Sequence, residues 1–377
     1  MSDKQQHLEG PRERIDEIDT KILDLLSERN EVVQDVIKTK VQKQLPIFVA
    51  KRELAKTKDF RKKAKERNLD PDWAEDFLRM IMSSSRASQS TKKFPRSTDE
   101  PKEILIIGGR GGMGSLYTRI ARQTDHHVHV IDKNDWGKLD DITLKLDIAI
   151  VAVPIRVTEK VIRKLADHLK KDTLLVDFTS NKTEPLQVML DAHEGPVIGL
   201  HPMHGPDVHN LSKQLLVVCP GRQAEKGKWF IEQCRLWGMR IIEADPQKHD
   251  HVMHLVQGLR HFVALLHGSF MREYDLKPED ILEFSSPIYR AELMMTGRIF
   301  AQSAELYADI VLSNEERRQL LMKFFEHHYK LAELVKKDDK NGFIQEFEAI
   351  TEFFGDFAEQ ALEESEYLIT RLADRFT

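Results

Sequence analysis

Apolar residues recur at two different spacings along the chain, and the changes between them divide it into three regions. Up to about residue 90 they recur every three or four positions, the spacing of amphipathic helices. Between 103 and 245, short apolar runs alternate with helix-like segments, which is typical of a mostly parallel, doubly wound sheet. From 246 the helical spacing returns. We therefore predict a multidomain protein with an all-α N-terminal module, a central α/β domain and an all-α C-terminal domain.

The short apolar runs supply seven strand candidates in the central domain. They are Ile104–Ile107, Val128–Ile131, Ile148–Val153, Leu174–Phe178, Val197–Leu200, Leu215–Cys219 and Arg240–Glu243. Just before the first run, the chain is rich in Ser, Thr, Lys and Pro, a composition typical of a linker. We therefore place the helical module at 1–90, a linker at 91–102, the α/β domain at 103–245 and the C-terminal domain at 246–377.

The first helix, predicted from Arg12 to Lys40, carries cations in line with its apolar stripe. That stripe consists of Ile15, Ile18, Ile22, Leu25, Val32 and Val36. Arg12, Arg29 and Lys40 continue it at the same spacing. Because burying an unpaired cation is costly, the three together indicate an anionic ligand. Alternatively, Arg29 pairs with a core carboxylate while the other two reach solvent at the helix ends.

The length of this helix indicates a partner chain. About 30 residues at ~1.5 Å per residue span roughly 45 Å, which is more than a module of this size can cover. We expect a second copy of the chain to cover the remaining length, which gives a homodimer.

The third helix of the module has a defined start. Asp70 is the expected N-cap, and Pro71 takes the first helical position, where proline is favoured. The predicted inward face consists of Trp73, Phe77, Met80 and Ile81.

Charge and composition exclude several classes of partner. The chain has 57 basic and 62 acidic residues and a net charge of −5, which argues against a nucleic-acid partner. It has no stretch of 18 apolar residues, and its first residues lack the apolar core of a signal peptide, so we expect no membrane association. Two cysteines, Cys219 and Cys234, are too few for a disulfide framework or a zinc site. We expect a reduced, cytoplasmic enzyme.

A glycine-rich turn after the first strand candidate indicates a Rossmann-type dinucleotide site. Its spacing, Gly109-x-Gly111-x-x-Gly114, lets the backbone approach a pyrophosphate at a helix N-terminus. The next strand candidate is followed by Asp132, where a carboxylate would accept from an adenosine ribose and favour NAD over NADP. Alternatively, the turn binds nothing. The candidate cofactor-binding residues are Gly109, Gly111, Gly112, Met113, Gly114 and Asp132.

Seven polar residues spread over the N-terminal module form a set. They are Arg12, Arg29, Lys40, Arg52, Glu53, Ser85 and Gln89. With their intervals and the flanking runs Arg-Glu-Arg-Ile-Asp-Glu-Ile-Asp and Leu-Pro-Ile, the module resembles the all-α chorismate mutase family. The fold of that family is an intertwined helical dimer, which implies that Arg12 reaches into the partner's site.

The same resemblance implies roles for the remaining residues. Arg29 and Arg52 would bind the two carboxylates of chorismate, Lys40 and Gln89 would face its ether oxygen, and Glu53 would hold its ring hydroxyl. These roles suit the chemistry, because the rearrangement to prephenate is pericyclic and needs no nucleophile or general base. A compact substrate conformer and positive charge beside the breaking C–O bond suffice.

Two loops leave the C-terminal ends of strand candidates in the central domain, where open α/β sheets bind ligands. The first loop contains Ser180 and Lys182, and the second begins with His201. The run Gly199-Leu-His201-Pro202 resembles the Gly-x-His-Pro motif of prephenate dehydrogenases. An imidazole suits a proton acceptor near neutral pH, although a structural hydrogen bond in the loop is the alternative for His201. We expect Ser180 to orient this imidazole and Lys182 to offer the substrate a cation.

Two residues of the C-terminal helices match the same family. Arg298 lies on the apolar stripe of a helix that Ser286 would cap, and the resemblance implies that it binds a prephenate carboxylate. A salt bridge to a core acid is its alternative. His261 matches a second active-site histidine, and a satisfied core histidine is its alternative. The histidine spacings do not indicate a metal site.

These features predict a bifunctional enzyme similar to those of bacterial tyrosine synthesis. Its first site would rearrange chorismate to prephenate, and its second would use NAD to oxidise and decarboxylate prephenate to 4-hydroxyphenylpyruvate. Two alternatives stay open. The chain could be a β-hydroxyacid dehydrogenase, which also joins a dinucleotide fold to a helical domain, or its first 90 residues could serve only for dimerisation.

Overall fold

The computed structural model of the protein describes residues 3–46, 48–89, 93–142, 145–208 and 210–373. These residues form two compact units. One contains the chain up to Pro246 apart from Pro154–Arg156, and the other contains those three residues and the chain from Gln247 onward. Among the described residues, none of the helices combines the length and the hydrophobicity of a membrane-spanning segment.

Three helices form the N-terminal module, as predicted. They are α1 (Asp3–Gln42), α2 (Ala50–Lys65) and α3 (Pro71–Gln89). The predicted start of α3 is confirmed, since the Asp70 carboxylate accepts a hydrogen bond of 2.9 Å from the backbone N–H of Asp72.

The buried face of α3 differs from the predicted one. The buried residues are Ala74, Leu78, Met82 and Ser85. By contrast, Trp73 is 49% exposed and Met80 is 67% exposed, and the ring of Trp73 stacks on Phe77 with the centroids 5.7 Å apart. Apolar side chains occur on two sides of α3, so their spacing alone could not select the face that packs on the other two helices.

Helix α1 leaves most of its apolar stripe uncovered within one chain. Ile15, Ile18, Ile22, Leu25 and Val32 are each at least 40% exposed. The 40 residues of α1 span ~60 Å. A continuous apolar stripe of this kind is typical of a surface that another protein covers.

The α/β domain is built on one seven-stranded sheet. Its strands are β1 (Glu103–Ile107), β2 (His127–Ile131), β3 (Ile148–Val151), β4 (Leu174–Asp177), β5 (Val197–Pro202), β6 (Leu215–Pro220) and β7 (Arg240–Glu243). All seven predicted strands are confirmed, with ends that differ by at most two residues. The strand order is β2-β1-β3-β4-β5-β6-β7, and every neighbouring pair is parallel except β5 and β6.

Both faces of this sheet are buried, which confirms the doubly wound arrangement. Ile104 and Ile106 of β1 belong to one hydrophobic core, and Leu105 and Ile107 belong to the other. The helices that connect the strands are α4 (Gly112–Gln123), α5 (Leu139–Ile142), α6 (Ile155–Ala166), α7 (Thr183–Ala192) and α8 (Lys228–Leu236), with single 3₁₀ turns at Trp136–Lys138 and Ala224–Gly227.

The described part of the predicted linker packs against the α/β domain. Phe94 is 6% exposed and lies in the same core as Ile104. The side chain of Gln233 bonds to both the Pro95 carbonyl and the Ser97 N–H, at 3.0 and 2.9 Å. From Lys93 onward, the Ser- and Pro-rich composition therefore belongs to an irregular segment held by the domain, and not to a free linker.

The second unit is helical throughout its described part, which confirms the all-α prediction. Its helices are α9 (Pro246–Met253), α10 (Arg260–Glu273), α11 (Pro278–Glu283), α12 (Pro287–Phe300), α13 (Ala304–Val311), α14 (Glu315–Lys336), α15 (Lys340–Phe354) and α16 (Asp356–Ala373), with a π-helical turn at His254–Leu259. Ser286 caps α12 as predicted, since its hydroxyl accepts from the Tyr289 N–H at 3.3 Å.

Candidate active sites

The three N-terminal helices enclose a cationic cavity of about 300 Å³. The charged residues of its described lining are Arg29, Lys40, Arg52, Lys56, Arg86 and Glu53. Valines of α1, together with Val49 and Met82, supply the apolar part of the wall. Five cations around a single carboxylate form a site for an anion with more than one negative charge.

Hydrogen bonds hold three of the charged groups of this cavity. The guanidinium of Arg29 donates to the Ser85 hydroxyl at 2.6 Å, and that hydroxyl donates to the Ile81 carbonyl at 2.9 Å. Arg86 of α3 forms an ion pair with Glu53 of α2, and both side chains are mostly buried. The cavity is therefore pre-arranged, because its polar side chains already bond across helices.

Burial and mutual repulsion destabilise the positive charges in the cavity. The pKa of Lys40 lies below that of an ordinary lysine, first because the ammonium is buried and second because Arg52 lies nearby, while the charge of Glu53 opposes the shift. The pKa of Lys56 is lowered in the same way, by burial and then by Arg29 and Arg52. An anionic ligand would relieve this repulsion.

The structure brings most of the predicted mutase residues together. Arg29, Lys40, Arg52, Glu53 and Ser85 line this one cavity. Arg12 lies on the exposed surface of α1, 17 residues before Arg29, and this separation is ~25 Å along the helix. The side chain of Gln89, at the end of α3, lies outside the described residues.

Two cations of the lining, Lys56 and Arg86, are not among the predicted site residues. Lys56 follows Arg52 by one helical turn, and Arg86 follows Met82 by one turn, so each extends a face that already points into the cavity. This spacing was a usable signal. Both residues are hard to single out in helices that contain many other charges.

The glycine-rich turn has the shape that a dinucleotide pyrophosphate requires. A side chain at Gly114 would collide with the Gly108 carbonyl, and a Cβ at Gly109 would lie 2.7 Å from Val130. Helix α4 begins at Gly112 and directs its N-terminus at the turn, while the Met113 side chain packs on the core. The predicted residues Gly109, Gly111, Gly112, Met113 and Gly114 therefore form one close-approach loop.

Asp132 lies where β2 ends and carries an unused acceptor. Its Oδ2 atom is buried and accepts no hydrogen bond from the described residues. The guanidinium of Arg110 lies 3.5 Å from this atom and is held more closely, at 2.5 Å, by Asp135. A buried carboxylate oxygen of this kind fits a ribose hydroxyl. The sequence pattern does not single out Arg110, because it occupies a position that the Gly-x-Gly-x-x-Gly spacing leaves unspecified.

His201 lies inside strand β5 and not in the loop after it, because the strand continues through Pro202. It is 3% exposed and pairs with Val217 of the antiparallel neighbour β6. Parallel pairing of β4 and β5 sets Asp177, the last residue of β4, beside Gly199, so His201 near the C-terminal end of β5 and the half-buried Ser180 after β4 lie at neighbouring strand ends. The sheet therefore brings these two predicted residues to one edge.

Lys182 does not present a free cation, contrary to the sequence-based expectation. Its side chain is fully buried, and its ammonium pairs with Asp177 and donates to the Leu200 carbonyl at 2.8 Å. The Lys182 stem passes over Gly199, where a Cβ would lie only 3.2 Å from it. Glycine in the Gly-x-His-Pro run thus makes room for a lysine that supports the strand carrying His201.

The second unit contains the remaining two predicted residues. His261 is half-buried on α10, and its ring meets Tyr307 edge-on with the centroids 4.8 Å apart. Burial, followed by the charges of Arg260 and Arg317, lowers the pKa of His261 to about 4. Arg298 is exposed on α12, which removes the alternative of a buried salt bridge to a core acid.

Three family models match the chain in succession. Residues 11–90 match chorismate mutase type II, 118–238 match the nucleotide-binding domain of prephenate dehydrogenase, and 245–349 match the prephenate dehydrogenase dimerization domain. The second match begins after the glycine turn, so the identification of that turn rests on its geometry.

Complete proteins and solved structures agree with these matches. The T-protein of Enterobacter agglomerans is 40% identical over 363 residues, which are 96% of this chain and 97% of the relative. The T-protein of Haemophilus influenzae is 37% identical over 97% of both chains. The crystal structure of A. aeolicus prephenate dehydrogenase shares the fold, with a TM-score of 0.54, 18% identity and coverage of 67% of this chain and 96% of that one.

The folds, the two sites and these matches define a fused mutase and dehydrogenase. This assignment excludes both the β-hydroxyacid dehydrogenase and a purely dimerising N-terminal module. The chain belongs to the T-protein family, the bifunctional chorismate mutases/prephenate dehydrogenases of tyrosine biosynthesis. It rearranges chorismate to prephenate and oxidatively decarboxylates prephenate to 4-hydroxyphenylpyruvate.

Proposed function

We propose that the cationic cavity of α1, α2 and α3 is the mutase site. The observation that carries this proposal is the set of five cations around Glu53 in about 300 Å³. Arg29 and Arg52 bind the two carboxylates of chorismate, and Glu53 holds its ring hydroxyl. Lys40, with Gln89, faces the ether oxygen, where negative charge develops as the C–O bond breaks. No proton is transferred, so the residues act through position and charge alone.

We propose that a second copy of the chain completes this site. Arg12 is ~25 Å along α1 from Arg29, which is too far to serve the cavity of its own chain. The exposed stripe of α1 supplies a surface on which the partner helix can pack. The match of residues 245–349 to a dimerization domain supports a dimer through the second unit as well.

We further propose four segments of the chain: a helical mutase domain at 1–90, a linker at 91–102, a dinucleotide-binding domain at 103–245 and a helical C-terminal domain at 246–377. We also propose that the protein is cytoplasmic.

We propose that the glycine turn and Asp132 hold NAD. The N-terminus of α4 and the close-approach loop receive the pyrophosphate, and Asp132 receives the adenosine ribose. Arg110 is shared between Asp132 and Asp135, so its charge is already compensated and does not favour a ribose phosphate. Bound NAD supplies the hydride acceptor.

We propose that His201 accepts the proton of the prephenate ring hydroxyl as hydride leaves the same ring carbon. Arg298 binds a substrate carboxylate, and loss of the ring carboxylate as carbon dioxide makes the ring aromatic. Ser180 orients the imidazole and His261 contacts the substrate. Lys182 is reassigned to a positioning role, since its buried ammonium holds the Leu200 carbonyl next to His201.

Product analysis tests the two activities together. Chorismate incubated with the protein alone should give prephenate, because a pericyclic step transfers no electrons. Chorismate with NAD should give 4-hydroxyphenylpyruvate, carbon dioxide and NADH in equal amounts. Prephenate formation that required NAD would contradict the separate mutase site.

Asp132 should determine the cofactor preference. Replacing Asp132 by Ser should weaken NAD binding by about 10-fold and narrow the preference for NAD over NADP, because the ribose hydroxyl loses a charged acceptor. The measurement is the KM for each nucleotide, with Asp191→Ser, a surface carboxylate on α7, as the control. Equal use of both nucleotides by the unchanged enzyme would contradict the role given to Asp132.

Arg298 should act in substrate binding more than in turnover. It is proposed to contact a carboxylate in both the ground state and the transition state, so Arg298→Gln should raise the KM for prephenate by about 10- to 100-fold and change kcat much less. Arg298→Lys should recover part of the loss, and Arg163→Gln, which removes a surface ion pair, serves as the control. A loss confined to kcat would contradict the assignment.

A further inference from the structure

One lysine of the α/β domain binds a carboxylate that lines the mutase cavity. Lys213 lies in the connection between β5 and β6, 160 residues after Glu53 in the sequence. Its ammonium is 2.9 Å from Oε2 of Glu53 and lies 5.1 Å from the centroid of the Phe48 ring. Lys213 is therefore anchored in one domain and bonded to a carboxylate of the other.

The backbone at Lys213 is held in an uncommon conformation. Its φ is +67°, in the left-handed region that residues with a side chain seldom adopt. The backbone N–H donates to the Gly238 carbonyl at 2.8 Å, and Gly238 itself has a φ of +95°. Neighbouring structure thus fixes the turn from which the Lys213 side chain reaches Glu53.

Glu53 is held by a different cation on each of its oxygens. Arg86 of α3 binds Oε1, and Lys213 binds Oε2. The Glu53 side chain is only 19% exposed, and that of Lys213 is 38% exposed. Two cations on opposite oxygens define the plane of the carboxylate, which one ion pair would leave free to rotate.

We propose that Lys213 is a positioning residue of the mutase site, which holds the Glu53 carboxylate in the orientation that receives the ring hydroxyl of chorismate. This inference rests on the proposed role of Glu53. It makes the complete mutase site dependent on the α/β domain, because one of the two groups that orient Glu53 comes from the β5–β6 connection. The charge of Glu53 also opposes the lowering of the Lys40 pKa. A displaced Glu53 carboxylate would therefore alter the electrostatic field at the ether oxygen.

The test is a double-mutant cycle on the full-length chain, with chorismate turnover measured without NAD. Lys213→Met should raise the KM for chorismate about five- to tenfold and change kcat less than twofold, as expected for weaker binding of a polar substrate group. Lys213→Arg should restore most of the loss. In a Glu53→Gln background, Lys213→Met should add less than twofold, because the carboxylate that it orients is already absent.

Two controls distinguish a specific effect of Lys213 on the mutase site from general damage to the protein. Lys226→Met removes another exposed lysine of the same domain and should leave chorismate turnover unchanged. Oxidation of added prephenate by Lys213→Met should change less than twofold. Additive effects in the cycle, or equal losses in both reactions, would overturn the positioning role. If Glu53→Gln alone leaves chorismate turnover unchanged, the proposed role of Glu53 fails, and the positioning role fails with it.

Discussion

Replacing Lys40 by Ala should lower chorismate turnover by at least about 100-fold. The loss corresponds to ~3 kcal/mol, which is typical of removing one pre-arranged charge from a partly buried site where transition-state charge develops. Prephenate oxidation should persist in the same variant, because the residues that we propose for it lie in the α/β domain and the C-terminal helices. The two reactions can be measured separately on one preparation, by chorismate loss without NAD and by NADH formation from added prephenate.

Lys38→Ala is the matched control for this variant. Lys38 lies half a turn away on α1, is 72% exposed and pairs with Asp35 at 2.9 Å, so its removal should leave both activities intact. Unchanged mutase activity in Lys40→Ala would contradict the site assignment. Equal loss in the two lysine variants would indicate damage to α1 and not loss of a catalytic charge.

The lowered pKa of Lys40 gives the mutase a predicted pH dependence. A lysine whose pKa is lowered by burial and by Arg52 loses its proton at a lower pH than an ordinary lysine. The cation is the active form, so kcat/KM for chorismate should decline on the alkaline side before an ordinary lysine would titrate. Lys40→Arg keeps the charge at high pH and should move this decline upward, which a pH series on the two proteins would show.

The sheet could be predicted from sequence because its strands are buried on both faces. Runs such as Ile104–Ile107 contain only apolar residues, and turn residues mark their ends. The glycine turn could also be predicted, because its spacing is a local pattern, although only Gly114 is required by atoms within a few residues, whereas Gly109 makes room for Val130 of the neighbouring strand. Local patterns therefore sufficed to predict the strands and the position of the glycine turn.

The ion-pair partners of individual charged side chains could not be predicted in the same way. Lys182 is neutralised by Asp177, and its stem lies over Gly199 of the next strand, so its burial depends on how two strands pair. The pairing of Glu53 with Lys213 joins residues 160 positions apart. No periodicity in the sequence carries this information, because tertiary contacts decide which cation meets which carboxylate, within the α/β domain for Lys182 and between domains for Glu53.

The dependence on tertiary contacts also explains why the predicted buried face of α3 is wrong. Met80 and Trp73 have the spacing of a buried stripe, but Ala74 and Leu78 have it too. The choice between the two faces is made by the helices that pack on α3. Hydrophobic periodicity predicts which face of a helix is buried only where apolar side chains are confined to one side.

Replacing His201 by Asn should lower kcat for prephenate oxidation by roughly 10²–10⁴-fold, the range expected for loss of a general base. Asparagine retains hydrogen-bonding groups of similar size but cannot accept the proton. The KM for NAD should change little, because the nucleotide is assigned to the glycine turn and Asp132. His127→Asn, which alters an exposed histidine bonded to Glu103, is the control and should keep full activity.

The pH profile distinguishes His201 from the second candidate histidine. If neutral His201 is the proton acceptor, kcat should fall as pH decreases through the titration of an imidazole, and His201→Asn should lose this acidic decline. The pKa of His261 is lowered to about 4, so His261 is already neutral throughout that range and its replacement should leave the decline in place. A His201→Asn enzyme that kept both its turnover and its acidic decline would refute the mechanism. If His261→Asn then removed the decline, the general base would be His261, and the bound substrate would have to raise its pKa.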